Sequence, residues 1–316
     1  MSTKVDDVVV IIRSSSERTE ELCKYLVEKQ VPETKIVVIK EKPFTAALKR
    51  SFEIGLDFGL TWTLCIDADV LISTGAISDL LNQATDQSTD FFNCTGRIYD
   101  KFYGRANVGG LHLYRTSLLG KAVSLVPEPG MSLRPETYVK DTMHAQGYPC
   151  SKLKAVYGIH DYEQAYCDIF RKMVVRGQKS EEHIKRLLVR AELLADEDID
   201  FLVAIWGIRY GQSISADDIL LDSEQWSDLS SHLLITRGLK EKPNLITEEE
   251  LNIVNFVLLK SDIKGDKLTV QPEFRNGQHF RFTDIATWRT GQYLIDYGTR
   301  LQERVIRTVR TKALVG

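Results

Sequence analysis

Residues 63–72 read TLCIDADVLI, in which the apolar run that ends at Ile66 is followed by two aspartates, Asp67 and Asp69. A continuous run of apolar residues of this length is typical of a strand that is buried on both faces of a sheet. Similar runs occur earlier at 8–12 (VVVII) and 35–39 (KIVVI), and each is followed by a segment of helical periodicity. The resulting β-α-β-α-β order predicts an α/β fold of Rossmann-like type, with a mostly parallel sheet and helices on its faces.

The organisation of the chain changes after residue 165. Further strands and helices are predicted up to that point, among them a helix at 135–145 that stops before Gly147. Helical periods dominate afterwards, together with a β-hairpin near 268–282 around the turn signal Asn276-Gly277. We therefore predict a ligand-binding domain at 1–165 and a mainly helical C-terminal region at 166–316.

Composition excludes several classes of protein. The 316 residues are 43% hydrophobic and 27% charged, as in a globular protein, and the net charge of −3 argues against a nucleic-acid binder. No apolar run is long enough to span a membrane, and the N-terminus lacks the features of a signal peptide, so a cytoplasmic location is expected. Five widely spaced cysteines without a CxxC motif argue against a disulfide framework or a structural zinc site.

Asp67 and Asp69 are the most informative polar residues. In parallel sheets, ligands bind at the carboxyl ends of the strands, which is where these two carboxylates are predicted to lie. Hard oxygen ligands suit Mg²⁺ or Mn²⁺, and either ion can bridge the phosphates of a substrate. The alternative is that both aspartates are simply turn residues.

From residue 8 to residue 160 the chain resembles a GT-A-fold glycosyltransferase, most closely family 2. The resemblance rests on six segments in the expected order: VVVIIRSSSER, VIKEKPF, the Asp-Ala-Asp motif, GGLHLYRTSLL, PETYVKDTMHAQGY and AVYGIH. It covers about half of the chain, and although no segment is specific alone, the order and spacing agree. The resemblance implies a nucleotide-sugar donor, a UDP- or GDP-sugar, and a divalent ion, Mn²⁺ or Mg²⁺.

The resemblance also implies roles for the residues around the metal. Asp69 would be the direct metal ligand, and Asp67 would bind the ribose or sugar of the donor, or the metal through water. His160 would complete the metal shell. Alternatively, His160 is a structural histidine that binds no ligand.

Other residues would contact the donor. The resemblance assigns Arg13, Ser14 and Glu41 to the nucleotide, although Arg13 stands where the family usually has proline and is alternatively a solvated charge. Lys49 lies on the predicted helix before the Asp-x-Asp motif and is a candidate for the diphosphate. A solvated lysine on a helix surface is the alternative.

The catalytic base is the point at which this chain departs from the family. Family 2 has Glu-Asp where this sequence has Glu136-Thr137. Glu136 or Asp141 is therefore the candidate base for an inverting reaction. Glu136 is alternatively a helix-start acid favoured by the helix dipole, and a retaining enzyme would need no such base.

Three other functions compete with a glycosyltransferase. A haloacid-dehalogenase-like phosphatase also has Asp-x-Asp after a buried strand, but on its first strand. A sugar nucleotidyltransferase would need a glycine-rich loop that IIRSSSERT lacks. A non-catalytic sugar-binding protein is the third, and the Asp-x-Asp motif and His160 argue against it.

The C-terminal sequence RLQERVIRTVRTKALVG leaves two interpretations open. A basic amphipathic helix can lie on the inner face of a membrane, which would suit a saccharide or lipid-linked acceptor. A helix that docks its apolar stripe on the protein is the alternative. The narrow stripe and the lack of aromatic residues favour docking.

Overall fold

The structure is a computed structural model that describes residues 5–132, 134–178, 180–214, 225–243, 245, 253–254, 262–264 and 267–269. The described residues all belong to one compact unit, which ends at residue 270. Residues 271–316, which include the basic C-terminal segment, lie outside the described residues. Of the predicted hairpin at 268–282, only residues 268 and 269 are described.

The main sheet has seven strands within the described residues. Their bounds are β1 (Val8–Arg13), β2 (Ile36–Ile39), β3 (Trp62–Asp67), β4 (Val70–Ile72), β5 (Asn93–Asp100), β6 (Arg105–Arg115) and β7 (Cys150–His160). A separate short hairpin pairs β8 (Asp262–Lys264) with β9 (Lys267–Thr269).

The sheet order is β2-β1-β3-β6-β5-β7-β4. The β1–β2 and β1–β3 pairs are parallel, as the sequence predicts for the first half of the domain. The second half is mixed, because β6 runs antiparallel to β3 and to β5, and β4 runs antiparallel to β7. The α/β fold class is therefore confirmed, and the sheet is less uniformly parallel than predicted.

The link between β3 and β4 forces the sheet to curl. Only Ala68 and Asp69 separate these strands in sequence, yet β6, β5 and β7 lie between them in the sheet. Neighbouring strands lie about 4.8 Å apart, so a flat sheet would place β3 and β4 roughly 19 Å from each other. Two residues cannot span that distance. The curl therefore brings the end of β7 to the Asp-x-Asp motif.

Helices cover both faces of the sheet. They are α1 (Glu20–Glu28), α2 (Phe44–Phe58), α3 (Ala76–Thr85), α4 (Leu119–Val123) and α5 (Pro135–Ala145). One core joins Val8, Val10 and Ile12 of β1 to α1 and α3, and a second joins Val9 and Ile11 to α2, α4 and α5. Every residue of β1 is buried, which explains why its sequence is continuously apolar rather than alternating.

Helices α6 (Tyr166–Arg176), α7 (Glu181–Leu194), α8 (Ile199–Ser213) and α9 (Gln225–Thr236) follow the sheet. They share a core that also contains Phe102, from the turn between β5 and β6. Beside it, Lys101 forms ion pairs with Asp198 and Asp200 at the start of α8. These contacts fix the helical region to the end of β5. The predicted domain boundary near residue 165 stays a prediction.

Two glycines allow α6 and α8 to approach closely. A Cβ atom at Gly207 would lie 2.6 Å from the carbonyl oxygen of Phe170, and one at Gly211 would collide with the carbonyl oxygen of Val174. Since Phe170 and Val174 belong to α6, these contacts set the distance between α6 and α8.

We expect Gly211→Ala to lower the free energy of unfolding by about 1–3 kcal/mol, because the added methyl group must push two backbones apart. Gly120→Ala on α4 is the matched control, since a Cβ atom there meets nothing within 4 Å. The control should be neutral or stabilising by up to about 1 kcal/mol. Urea unfolding measures both. Equal stability of the two variants would contradict the close packing of α6 on α8.

No helix in the described part of the chain is both long enough and apolar enough to cross a membrane.

Candidate active site

The ends of four strands meet at one edge of the curled sheet. Arg13 at the end of β1 is in register with Asp67 at the end of β3. Asp100 at the end of β5 is in register with His160 at the end of β7, and His160 is also paired with Val70 of β4. Polar side chains from distant parts of the sequence are thereby collected around the Asp-x-Asp motif.

Asp69, His160 and Asp161 form a group that can hold a metal ion. Each offers one ligand atom, and these atoms lie within 4.8 Å of one another. The His160 Nε2 atom lies 3.3 Å from Asp69 Oδ2. The other oxygen of Asp69, Oδ1, is buried and has no hydrogen-bond partner among the described residues. Two carboxylates, one of which has this unpaired oxygen, and one imidazole match the ligands that Mn²⁺ and Mg²⁺ accept.

Helix α6 supplies two cations to this acidic group. The Lys172 ammonium donates to Asp69 and, at 2.8 Å, to Asp161 Oδ1. One turn later, Arg176 donates to Asp161 Oδ2 at 2.7 Å and to Asp100 Oδ2 at 3.3 Å. His160 Nδ1 lies 3.0 Å from the same Asp100 oxygen. The three carboxylates are therefore balanced by positive groups of the protein itself.

The pKa values in this network follow from its charges. Burial alone would lower the pKa of His160, but the carboxylates of Asp161 and Asp69 outweigh it and raise the pKa well above the ordinary value. Burial alone would raise the pKa of Asp69, but Lys172 and His160 outweigh it and hold the pKa well below the ordinary value. These interactions favour the charged forms of His160 and Asp69 in the ion-free network, so His160 would have to release its proton to bind a metal ion.

Asp67 belongs to a second network, centred on Arg13. The guanidinium donates from Nε to Asp67 Oδ1 at 2.8 Å and from Nη1 to Glu136 Oε1 at 2.9 Å. The side chain of Arg13 is 3% exposed, whereas that of Asp67 is 30% exposed. Burial, together with Asp69 and Glu136, raises the pKa of Asp67 to about 6 despite the Arg13 ion pair. The open carboxylate of Asp67 is available to a ligand.

Glu136, at the start of α5, lies in the interior. Besides Arg13, it accepts a 2.6 Å hydrogen bond from the Tyr114 hydroxyl and lies 2.9 Å from His112 Nε2. Burial lowers the pKa of His112 to about 4, despite the neighbouring Glu136, so this histidine is neutral. Arg13 and Glu136 therefore form a buried ion pair beneath Asp67.

The remaining predicted residues are more dispersed. Ser14 is buried, and its hydroxyl lies within hydrogen-bond distance of the carboxylates of Glu17 and Glu20. Glu41 lines a shallow groove beside β2, and Lys49 is exposed on α2. Asp141 is exposed. It lies near Cys150, where its charge adds to the effect of burial and raises the pKa of the thiol. Cys150 begins β7, whereas His160 ends that strand. The structure thus brings Arg13, Asp67, Asp69 and His160 together and does not bring Asp141 to them.

Sequence reasoning missed four charged residues of the site: Asp100, Asp161, Lys172 and Arg176. The cations lie on a helix outside the predicted ligand-binding domain, and only the packing of α6 carries them to the sheet edge. Asp161 directly follows His160, but its backbone has φ 63°, a conformation that non-glycine residues seldom adopt and that no sequence pattern marked.

No protein-family model matches this chain, and no curated protein matches it. Solved structures with partly similar folds do exist. A glycosyltransferase involved in the glycosylation of the major capsid of PBCV-1 is 15% identical, with 49% of this chain and 83% of that chain covered and a TM-score of 0.34. A cytidylyltransferase from Leptospira borgpetersenii serovar Hardjo-bovis is 10% identical, with 62% and 96% covered and a TM-score of 0.36.

A third similar structure is a CMP:2-keto-3-deoxy-manno-octonic acid synthetase complexed with CTP. It is 11% identical, with 49% of this chain and 92% of that chain covered and a TM-score of 0.32. Glycosyltransferases and nucleotidyltransferases are thus both represented among the similar folds, and membership of family 2 is not confirmed. At these identities and scores the similarity carries no conclusion about function, which we argue from the site alone.

Proposed function

We propose that this protein is a glycosyltransferase that uses a nucleotide-sugar donor and a divalent cation. The observation that carries the proposal is the grouping of Asp69, His160 and Asp161 at the carboxyl edge of the sheet. Asp67, whose carboxylate is partly exposed, ends strand β3 two residues before Asp69. This edge is where α/β sheets bind nucleotides.

Asp69, Asp161 and His160 would hold the cation. A cation at this position would offset the negative charge that develops on the departing nucleoside diphosphate, so that no acidic side chain is needed there. The Oδ1 atom of Asp69, which has no hydrogen-bond partner in the described part of the chain, supports this assignment, because an unpaired buried carboxylate oxygen is costly unless a ligand reaches it. Mn²⁺ and Mg²⁺ are the proposed ions, and UDP- and GDP-sugars the proposed donors.

Arg13 and Asp67 would position the donor. Arg13 contacts Asp67 Oδ1 through both Nε and Nη2, and these contacts fix the Asp67 carboxylate. Its exposed side would then face hydroxyl groups of the ribose or sugar.

A base must reach the acceptor hydroxyl within hydrogen-bond distance. Because Glu136 is buried beneath Arg13, Tyr114 and His112, we propose that it holds Arg13 in place instead of acting as the base.

The test is a thermal-shift screen of UDP- and GDP-sugars with and without Mn²⁺. A ligand that binds only the folded protein raises the melting temperature, by an amount that grows with its concentration relative to Kd. We expect stabilisation by at least one nucleotide sugar that requires Mn²⁺, followed by slow release of nucleoside diphosphate. Formation of pyrophosphate from a nucleoside triphosphate and a sugar phosphate would instead indicate a nucleotidyltransferase.

A further inference from the structure

Lys172 contacts two members of the group that we assign to the cation. Its ammonium donates to both Asp69 and Asp161, which are two of the three metal-ligand candidates. The side chain is 16% exposed and comes from α6, outside the sheet. An ammonium bonded to these carboxylates opposes the binding of a divalent cation to them, because the like charges repel at short distance.

We propose that Lys172 is a built-in competitor of the divalent cation: its ammonium holds the carboxylates of Asp69 and Asp161 until a cation displaces it. This inference rests on the proposed function, since it assumes that a cation binds at Asp69. It assigns to Lys172 the role of setting how tightly the site holds the ion.

The chemistry of the two α6 cations supports a selective displacement of Lys172. A lysine ammonium is a point charge on a flexible stem and can leave without movement of the backbone. Arg176, by contrast, spans Asp100 and Asp161 with its planar guanidinium and also lies over the ring of Tyr103, at 5.1 Å from the ring centroid. The geometry therefore lets Lys172 move while Arg176 continues to hold Asp161.

The carboxylate oxygens that Lys172 uses also favour exchange. Lys172 bonds to Asp69 through Oδ2 and to Asp161 through Oδ1. The Oδ1 atom of Asp69 has no hydrogen-bond partner among the described residues and can receive an entering cation before the ammonium leaves. The close contact of α6 with Gly207 and Gly211 of α8 fixes the backbone of the helix, so the exchange involves the lysine side chain alone.

The experiment compares Mn²⁺ binding by the wild type and by Lys172→Met, using isothermal titration of metal-free protein. Methionine keeps an unbranched apolar stem and removes the charge, so the Kd for Mn²⁺ should fall by about tenfold or more. Arg171→Met is the matched control. Arg171 is the neighbouring residue of α6, with a side chain that is 18% exposed and pairs with Asp168, and its variant should bind Mn²⁺ as the wild type does.

A second measurement avoids the possibility that Lys172→Met fails to fold. Acetylation of the wild-type lysines by a soluble reagent is followed by mass spectrometry with and without Mn²⁺. The rate at Lys172 should rise when Mn²⁺ is bound, because the ammonium loses its two carboxylate partners, while the rate at the exposed Lys49 should stay constant.

The outcomes separate the two proposals. Equal Mn²⁺ affinity in the wild type and Lys172→Met, or an unchanged acetylation rate at Lys172, would overturn the competitor role and leave the cation site standing. Absence of Mn²⁺ binding to both proteins would overturn the competitor role and the cation site together. Tighter Mn²⁺ binding by Lys172→Met, with wild-type affinity in Arg171→Met, supports both the competitor role and the cation site.

Discussion

Asp69→Asn is expected to reduce the release of nucleoside diphosphate from a nucleotide-sugar donor by about 10²–10³-fold, the scale typical for loss of one group that stabilises transition-state charge. Asparagine keeps the size of the side chain and one acceptor oxygen, and it removes the negative charge that would bind the cation. Asp69 lies in the link between β3 and β4, not in the apolar core. The loss should therefore appear in turnover and in Mn²⁺ affinity.

Asp57→Asn is the control for this prediction. Asp57 is an exposed residue of α2, and the same chemical change there should leave turnover and Mn²⁺ affinity unaltered. Circular dichroism of both variants checks that the fold is retained. Turnover by Asp69→Asn within a few-fold of the wild type would remove Asp69 from the proposed site.

The buried pair of Arg13 and Glu136 predicts a large effect on stability. Removing one partner of a buried ion pair leaves an uncompensated charge and costs about 3–5 kcal/mol. We expect this loss for Arg13→Met and for Glu136→Gln separately. The double variant should lose less than the sum of the two, by about 0.5–3 kcal/mol, because the charges of Arg13 and Glu136 are removed together and neither is left without the other.

Urea unfolding of the four proteins completes the double-mutant cycle. The exposed pair of Arg50 and Glu53 provides the comparison, since its side chains are 46% and 40% exposed. Glu53→Gln should change the free energy of unfolding by no more than about 0.5 kcal/mol. Additive losses at Arg13 and Glu136 would show that the two residues do not stabilise the protein as a pair.

The first half of the fold was predictable because its signals are local. Continuous apolar runs identified β1, β2 and β3, and the helix predicted at 135–145 corresponds to α5 (Pro135–Ala145). The polar, aromatic segment after residue 97 gave no such signal, yet it forms the ends and turn of the β5–β6 pair. Strand β4 has three residues, too few for a period to be recognised.

The site was predictable only where it follows strand ends. Asp67, Asp69 and His160 could be placed at one edge because each ends or follows an apolar strand. Lys172 and Arg176 lie one turn apart on a helix, a pattern that usually indicates a solvated face. Their proximity to Asp69 depends on the packing of α6 against α8, which is a tertiary property. The resemblance makes Glu136 a candidate base, whereas its buried contacts with Arg13 and Tyr114 favour the role of holding Arg13 in place.

The most direct test of the cation and nucleotide site is anomalous diffraction from a crystal grown with Mn²⁺ and a nucleoside diphosphate. The account predicts a manganese peak at coordination distance, about 2.0–2.6 Å, from Asp69 and His160, with the diphosphate beside it and Lys172 displaced from Asp69. A diphosphate bound without manganese at Asp69, or a manganese peak elsewhere on the protein, would contradict it.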